Sequence, residues 1–195
     1  MRQRKTEIRR LVTAALAAAL LAILAPWVIP IGAVGITLAT LVLFTVSLTL
    51  PPAVAIMACA VYLLLGAIGL PVFAGFVGGF AAFLSPTGGF LIGYLPLTVT
   101  VSLAGRLSEK RAVHLAASVF ALILLYTIGG VFYMAVTDAT ALQAVTVSVI
   151  PFILPDLVKL AAAIAIADVI RKRSPRLSKR TNQAAKICRK KSKFF

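Results

Sequence analysis

The 195 residues are 61% hydrophobic and only 13% charged, with a formal net charge of +15. Soluble domains run near half apolar and a quarter charged, so this composition excludes an ordinary soluble globular protein. A charge of +15 would suggest nucleic acid in a soluble chain, but here the basic residues cluster at the edges of apolar runs. Arg2, Arg4, Lys5, Arg9 and Arg10 precede the first run, Arg106, Lys110 and Arg111 lie between two others, and eleven follow Ile170. Basic residues gathered on one side of membrane spans are an orientation signal, so we read the clusters as cytoplasmic and assign no nucleic-acid partner.

Six apolar runs approach the ~20 residues that cross a bilayer core. They are Leu11–Ile29, Ile31–Leu50, Ala53–Leu70, Phe90–Gly105, Ala112–Val136 and Ala141–Ile170. The expected fold is all-α, a six-helix transmembrane bundle in the cell inner (plasma) membrane with both termini cytoplasmic. Residues 1–10 form a basic N-terminus, 11–170 the membrane domain, and 171–195 a basic tail expected to be disordered and drawn to anionic membrane lipid.

The first run follows a basic start and ends in small residues, a shape shared with secretory signals. Its removal would leave five spans and set the basic loop and the tail at odds, so we count it as a span. Within it, Ala14, Ala18 and Ala22 recur at four-residue spacing, as do Ala15 and Ala19. Small residues four apart let helix backbones approach closely in lipid. Periodicity leaves open whether the neighbour is another span of this chain or another protein. Pro26, Pro30, Pro51 and Pro52 mark the first reversals.

Within 71–89 the 14 residues from Pro71 to Leu84 are short for a span, and the stretch, like "PWVIPIG" and "TDAT", contains no Lys or Arg, so all three are expected outside. Gly75, Gly78, Gly79, Gly88 and Gly89 leave room for backbone to approach a ligand, and Thr87 supplies a hydroxyl. Phe73, Phe76, Phe80 and Phe83 offer an apolar wall or lid, a combination common in ligand sites. No "GK[ST]" follows the glycines, which argues against a phosphate loop. In the fifth run Tyr126, Phe132 and Tyr133 lie toward the outside, and serve equally well as cavity lining or interface anchors.

Of five acidic residues, Glu7 and Glu109 stand among basic neighbours, Asp138 falls in an external turn, and Asp168 has Arg171 and Lys172 three and four residues on. Asp156 differs. It sits inside an apolar run with Lys159 at i+3, on one helical face. Ionisable groups within a span point by default to a protein interior or functional cavity. Fifteen residues separate Asp156 from Arg171, about 22 Å at helical rise, which puts the pair in the outer half of the membrane. Pro155 is expected to open the helix, with Asp156 in its first turn near the favourable end of the dipole. The rival reading is a private salt bridge bracing a kinked helix. One membrane Asp, without a second carboxylate, a metal triad or a Ser–His pair, gives no enzyme. Cys59 and Cys188 supply neither a disulfide framework nor a metal site.

"GLPVFAGFVGGFAAFLSPTGGFLIGY", followed some 60 residues later by "VIPFILPDLVKLAAA", resembles the BioY family over nearly the whole chain. These are biotin-binding capture subunits of energy-coupling-factor vitamin transporters. Members commonly read Gly-Pro-Thr-Gly-Gly where this chain has Ser85 before Pro86. The resemblance implies a six-helix bundle that holds biotin near the external face and requires no cofactor. Asp156 and Lys159 would touch the ligand, and Pro86, Thr87, Gly88 and Gly89 would shape the pocket. The first external loop and 71–89 would cover it, with Phe73 and Tyr126 as apolar and aromatic lining. Ala15 and Ala19 match an Ala-x-x-x-Ala pattern that would meet a transmembrane coupling subunit, itself driven by two ABC-type ATPases. Asp156 can accept from the ureido N–H groups of biotin, while Lys159 can donate to the ureido oxygen or to the carboxylate.

Overall fold

In the computed structural model, residues 2–30, 35–107 and 111–173 are described. The expectations for the tail beyond 173, and for the middle of the basic loop, lie outside the described residues. Helix α1 spans Arg2–Leu24 and runs unbroken through the boundary expected at residue 10. A short antiparallel pair follows, β1 (Val28–Ile29) with β2 (Ile36–Thr37), in the register Val28 to Thr37 and Ile29 to Ile36. Then come α2 (Ala39–Thr49) and α3 (Pro52–Ala67), a 3₁₀ turn at Ala74–Phe76, and α4 (Ala81–Leu84). The chain continues with α5 (Gly88–Leu107), α6 (Arg111–Thr137), α7 (Ala141–Ser148) and α8 (Ile150–Arg173).

Among the described residues, three stretches are long and apolar enough to cross a membrane: Gly88–Gly105, Arg111–Thr137 and Ala141–Ile170, the last taking in both α7 and α8. The burial pattern is that of a chain dissolved in lipid. Ala14, Ala18, Ala55, Ala58 and Ala163 are buried, whereas Leu142, Ile68 and Leu154 are each more than 70% exposed. Small residues between helices let backbones approach, and large aliphatic ones face outward, because lipid provides no drive to hide them. Helix α1 packs on α3, α2 on α8, and α5 on α6.

Two expectations need correction. Among the described residues of the second apolar run, 35–50, only Ala39–Thr49 is helical, about 16 Å long and shorter than a bilayer core. Pro26, Pro30 and Gly35 interrupt the approach to it, and the β-branched Val28, Ile29, Ile36 and Thr37 form a hairpin instead. The sixth run is two helices, because Val149 leaves helical geometry at φ −120°, ψ −59°. Consequently α8 opens at Ile150 and not at Pro155. Pro151 occupies its first turn, where a missing N–H is no loss, while Pro155 lies inside the helix and frees the carbonyl one turn above. Asp156 is therefore in the second turn, and the dipole of the helix end is not its main support. Asp168 bonds Arg111 at the start of α6, while the Arg171 side chain expected to meet it lies outside the described residues.

Candidate ligand-binding site

Buried positions on α8 recur at Phe152, Asp156, Leu160, Ala163 and Ala167, spaced by four, four, three and four residues. That is the helix face turned to the bundle, and Asp156, only 3% exposed, stands in the middle of it. A carboxylate so placed needs partners, since an unpaired buried charge is costly. It has three. Lys159 Nζ donates to Oδ1 at 2.8 Å, Thr40 Oγ1 donates to the same oxygen at 2.9 Å, and the Tyr126 hydroxyl donates to Oδ2 at 2.8 Å. Lys159 Nζ also reaches Thr40 Oγ1 at 3.2 Å. Thr40 comes from the first turn of α2, Tyr126 from α6 and the charged pair from α8, so three helices converge on one carboxylate.

This cluster borders a cavity of about 360 Å³. Its floor is buried and its walls are mainly apolar and aromatic: Tyr62, Leu91, Tyr94, Leu125 and Phe152 accompany the charged pair. Its mouth is more accessible, edged by Gly35 and Thr37 of the hairpin region, by Ala74 and Val77, and by Ser85, Pro86 and Thr87.

The covers are joined to each other. Gly75 N–H donates to the Pro26 carbonyl at 2.9 Å, and Trp27 meets Phe76 edge-on with ring centroids 5.7 Å apart. Both Gly75 (φ 73°) and Phe76 (φ 59°) are left-handed. Such a turn is easy for glycine and strained for phenylalanine, which makes this 3₁₀ turn a defined cover and not a slack loop. Phe73 is the inward member of the predicted phenylalanine wall. Its ring lines the cavity, packs edge-on against Tyr62 and Phe83, and occupies the space a Cβ on Gly66 would need. Phe80 points away and is 68% exposed.

The "SPTGG" stretch ends α4 and begins α5. Ser85 Oγ donates to the Ala82 carbonyl at 2.7 Å and lies 3.0 Å from Thr87 Oγ1, and the Gly88 amide donates to the Ser85 carbonyl at 2.8 Å. Gly88 and Gly89 do not line the cavity. Any Cβ on Gly88 would strike the Phe83 carbonyl, and one on Gly89 would strike Phe132. Their lack of side chains lets α5 start close beneath α4 and close beside α6, which sets where Pro86 and Thr87 stand. Of the fifth-run aromatics, Tyr126 is at the cavity, Phe132 packs on Gly89, and Tyr133 is not in the lining.

Several lining residues escaped sequence reasoning. Thr40 was visible as a hydroxyl inside an aliphatic run, yet nothing local named Asp156, 116 positions away, as its partner. Tyr62 and Tyr94 looked like ordinary aromatic residues of spans.

The sequence profile of the BioY family matches residues 1–176. The chain belongs to the BioY family. It is similar to the biotin transporter BioY of Thermotoga maritima, 36% identical over 166 residues that cover 85% of this chain and 97% of that protein. The probable biotin transporter BioY of Pyrococcus horikoshii is 36% identical over 140 residues, 72% of this chain and 82% of the relative. Among solved structures, the S-component for biotin from an ECF-type ABC transporter matches with a TM-score of 0.76 at 26% identity, over 88% of this chain and 93% of that one. BioY is a family of transporters and not of enzymes. In this BioY chain the two alanine series of α1 part company. Ala14 and Ala18 are buried within the bundle, while Ala15 and Ala19 lie on an exposed face with Leu11, Val12 and Leu16.

Proposed function

We propose that this chain is a biotin-specific capture subunit, which takes biotin from outside and passes it inward with ATPase-driven energy-coupling partners. The observation that carries this reading is the buried Asp156–Lys159 pair, facing an apolar cavity with Thr40 and Tyr126 bonded to the same carboxylate. A carboxylate offers about four acceptor sites, of which three are used here, so Oδ2 retains room for one ureido N–H. Aromatic and aliphatic walls suit the fused rings and the hydrocarbon chain. Pro86, Thr87 and Phe73 form the outer side of the pocket, and Gly88 and Gly89 support it indirectly through packing.

The membrane topology proposed is six passes with both termini inside, the pieces being α1, α2 with its hairpin, α3, α5, α6, and α7 joined to α8. The basic residues flanking these helices support that orientation. A transmembrane coupling subunit would meet α1 at Ala15 and Ala19, whose exposed small side chains permit close backbone approach. Two ABC-type ATPases would supply the energy. Isothermal calorimetry of the purified chain with biotin tests the binding reading, and absence of saturable binding refutes it. Asp156→Ala should weaken binding by at least ~1–3 kcal/mol through the lost polar contact. Unchanged affinity would remove Asp156 from the site.

A further inference from the structure

We infer that the site grips biotin by its ureido ring alone and leaves the carboxylate at the mouth, so that it also captures biotin capped at that carboxylate as an amide or ester. This rests on the biotin reading above and names the wider ligand class of the same cavity.

The first ground is a census of charge. Residues 11–105 contain no Lys, Arg, His, Asp or Glu, and residues 112–155 contain only His114 and Asp138. Lys159 is therefore the single Lys or Arg between Arg111 and Arg171. The basic end of α8 is remote, with Arg173 lying about 25 Å along the helix from Asp156. Any carboxylate bound in the cavity has Lys159 as its one available cation.

The second ground is that Lys159 already neutralises an anion. Its Nζ bonds Asp156 Oδ1 at 2.8 Å and Thr40 Oγ1 at 3.2 Å, and its side chain is 11% exposed. A ligand carboxylate brought to Nζ would stand beside the Asp156 carboxylate, two anions sharing one cation in a water-poor pocket. Like charges at such range are strongly disfavoured. A cyclic urea meets no such conflict. Its N–H donates to Asp156 and its oxygen accepts from Lys159, so a neutral group with adjacent donor and acceptor matches a neutral ion pair.

The third ground is the gradient of burial. Asp156, Thr40, Tyr62 and Tyr94 form a buried floor, whereas Thr37, Ser85 and Thr87 are half-buried and Ala74 and Val77 are exposed at the mouth. With the ring on the floor, the valeryl chain runs outward and its end meets hydroxyl groups and water. Hydroxyls hydrogen-bond an amide or an ester carbonyl as readily as they bond a carboxylate, and the mouth has room for a substituent to continue outward.

The test uses the full-length chain purified in detergent, with labelled biotin displaced by unlabelled biotin, biotin methyl ester and biotinyl-lysine. A buried contact to a charged group is worth roughly a factor of ten to a hundred in affinity. The expected result is that ester and amide displace the label within tenfold of biotin itself. A larger loss for both, with biotin still bound, overturns the inference and assigns Lys159 to the carboxylate while leaving the biotin reading standing. Failure of biotin itself to bind refutes the biotin reading and this inference together. Lys159→Met supplies a second measurement that a folding defect does not mimic. Acid and ester should weaken by the same factor; weakening of the acid alone overturns the inference.

Discussion

The charged pair can be tested as a pair. In Asp156→Asn, the Lys159 ammonium keeps its hydrogen-bond partners but loses its counter-charge, and in Lys159→Met the carboxylate loses its only cation. The two side chains are 4% and 11% exposed, so neither lost partner is replaced freely by water. Breaking a buried ion pair from one side costs about 3 kcal/mol or more, largely through the charge left behind. At about 2–4 °C per kcal/mol for a domain of this size, each single variant should melt about 6–12 °C below the parent. The double variant leaves no charge stranded, and its amide can still bond Thr40 and Tyr126. It should lie within about 1 kcal/mol of the parent, or about 2–4 °C. The assay is thermal unfolding of the ligand-free protein in one detergent, followed by biotin binding on the same samples. Additive losses in the double variant would refute the coupling. Recovery of stability together with recovery of biotin affinity would show that the pair only braces the helix. Recovered stability with binding still lost is the expected result.

Thr40→Val removes a donor to Asp156 Oδ1 and an acceptor for Lys159, so biotin affinity should fall by about 1–2 kcal/mol in calorimetry. Gly66→Ala forces a methyl group into the Phe73 ring and should cost about 1–3 kcal/mol of stability while quickening biotin release, as followed by label exchange. Unchanged melting and release would dissociate Phe73 from the cover. Ala15→Leu with Ala19→Leu alters an exposed face only, so biotin affinity should remain the same. Uptake by cells that contain the coupling subunits should fall severalfold, and undiminished uptake would remove these alanines from the contact.

The membrane class, the position of the long helices and the turn of Asp156 toward a protein interior were legible in the residues in order. Hydrophobic runs near the thickness of a bilayer, and one acidic residue inside such a run, are local facts that carry their own energetic reason. The same local reasoning misjudged the run from 31 to 50, because length and hydropathy do not distinguish a helix from a β-branched hairpin followed by a short helix. It also placed the start of α8 at the wrong proline. Pro151 and Pro155 are both compatible with a first turn, and Val149, with no special chemistry, is where the chain bends.

Other features exist only once the helices are assembled. Thr40 and Tyr126 become ligands of one carboxylate through the packing of α2 and α6 against α8, across 116 and 30 positions of sequence. Gly88 and Gly89 look like a ligand-facing loop in sequence, and become packing positions because Phe83 and Phe132 stand where their side chains would be. The alanines of α1 show the division clearly. Their spacing marks close-packing faces in any lipid environment, but only the packing of α1 against α3 and α2 puts Ala14 and Ala18 inside the bundle. Ala15 and Ala19, one residue on and about 100° around the helix, remain on the exposed face.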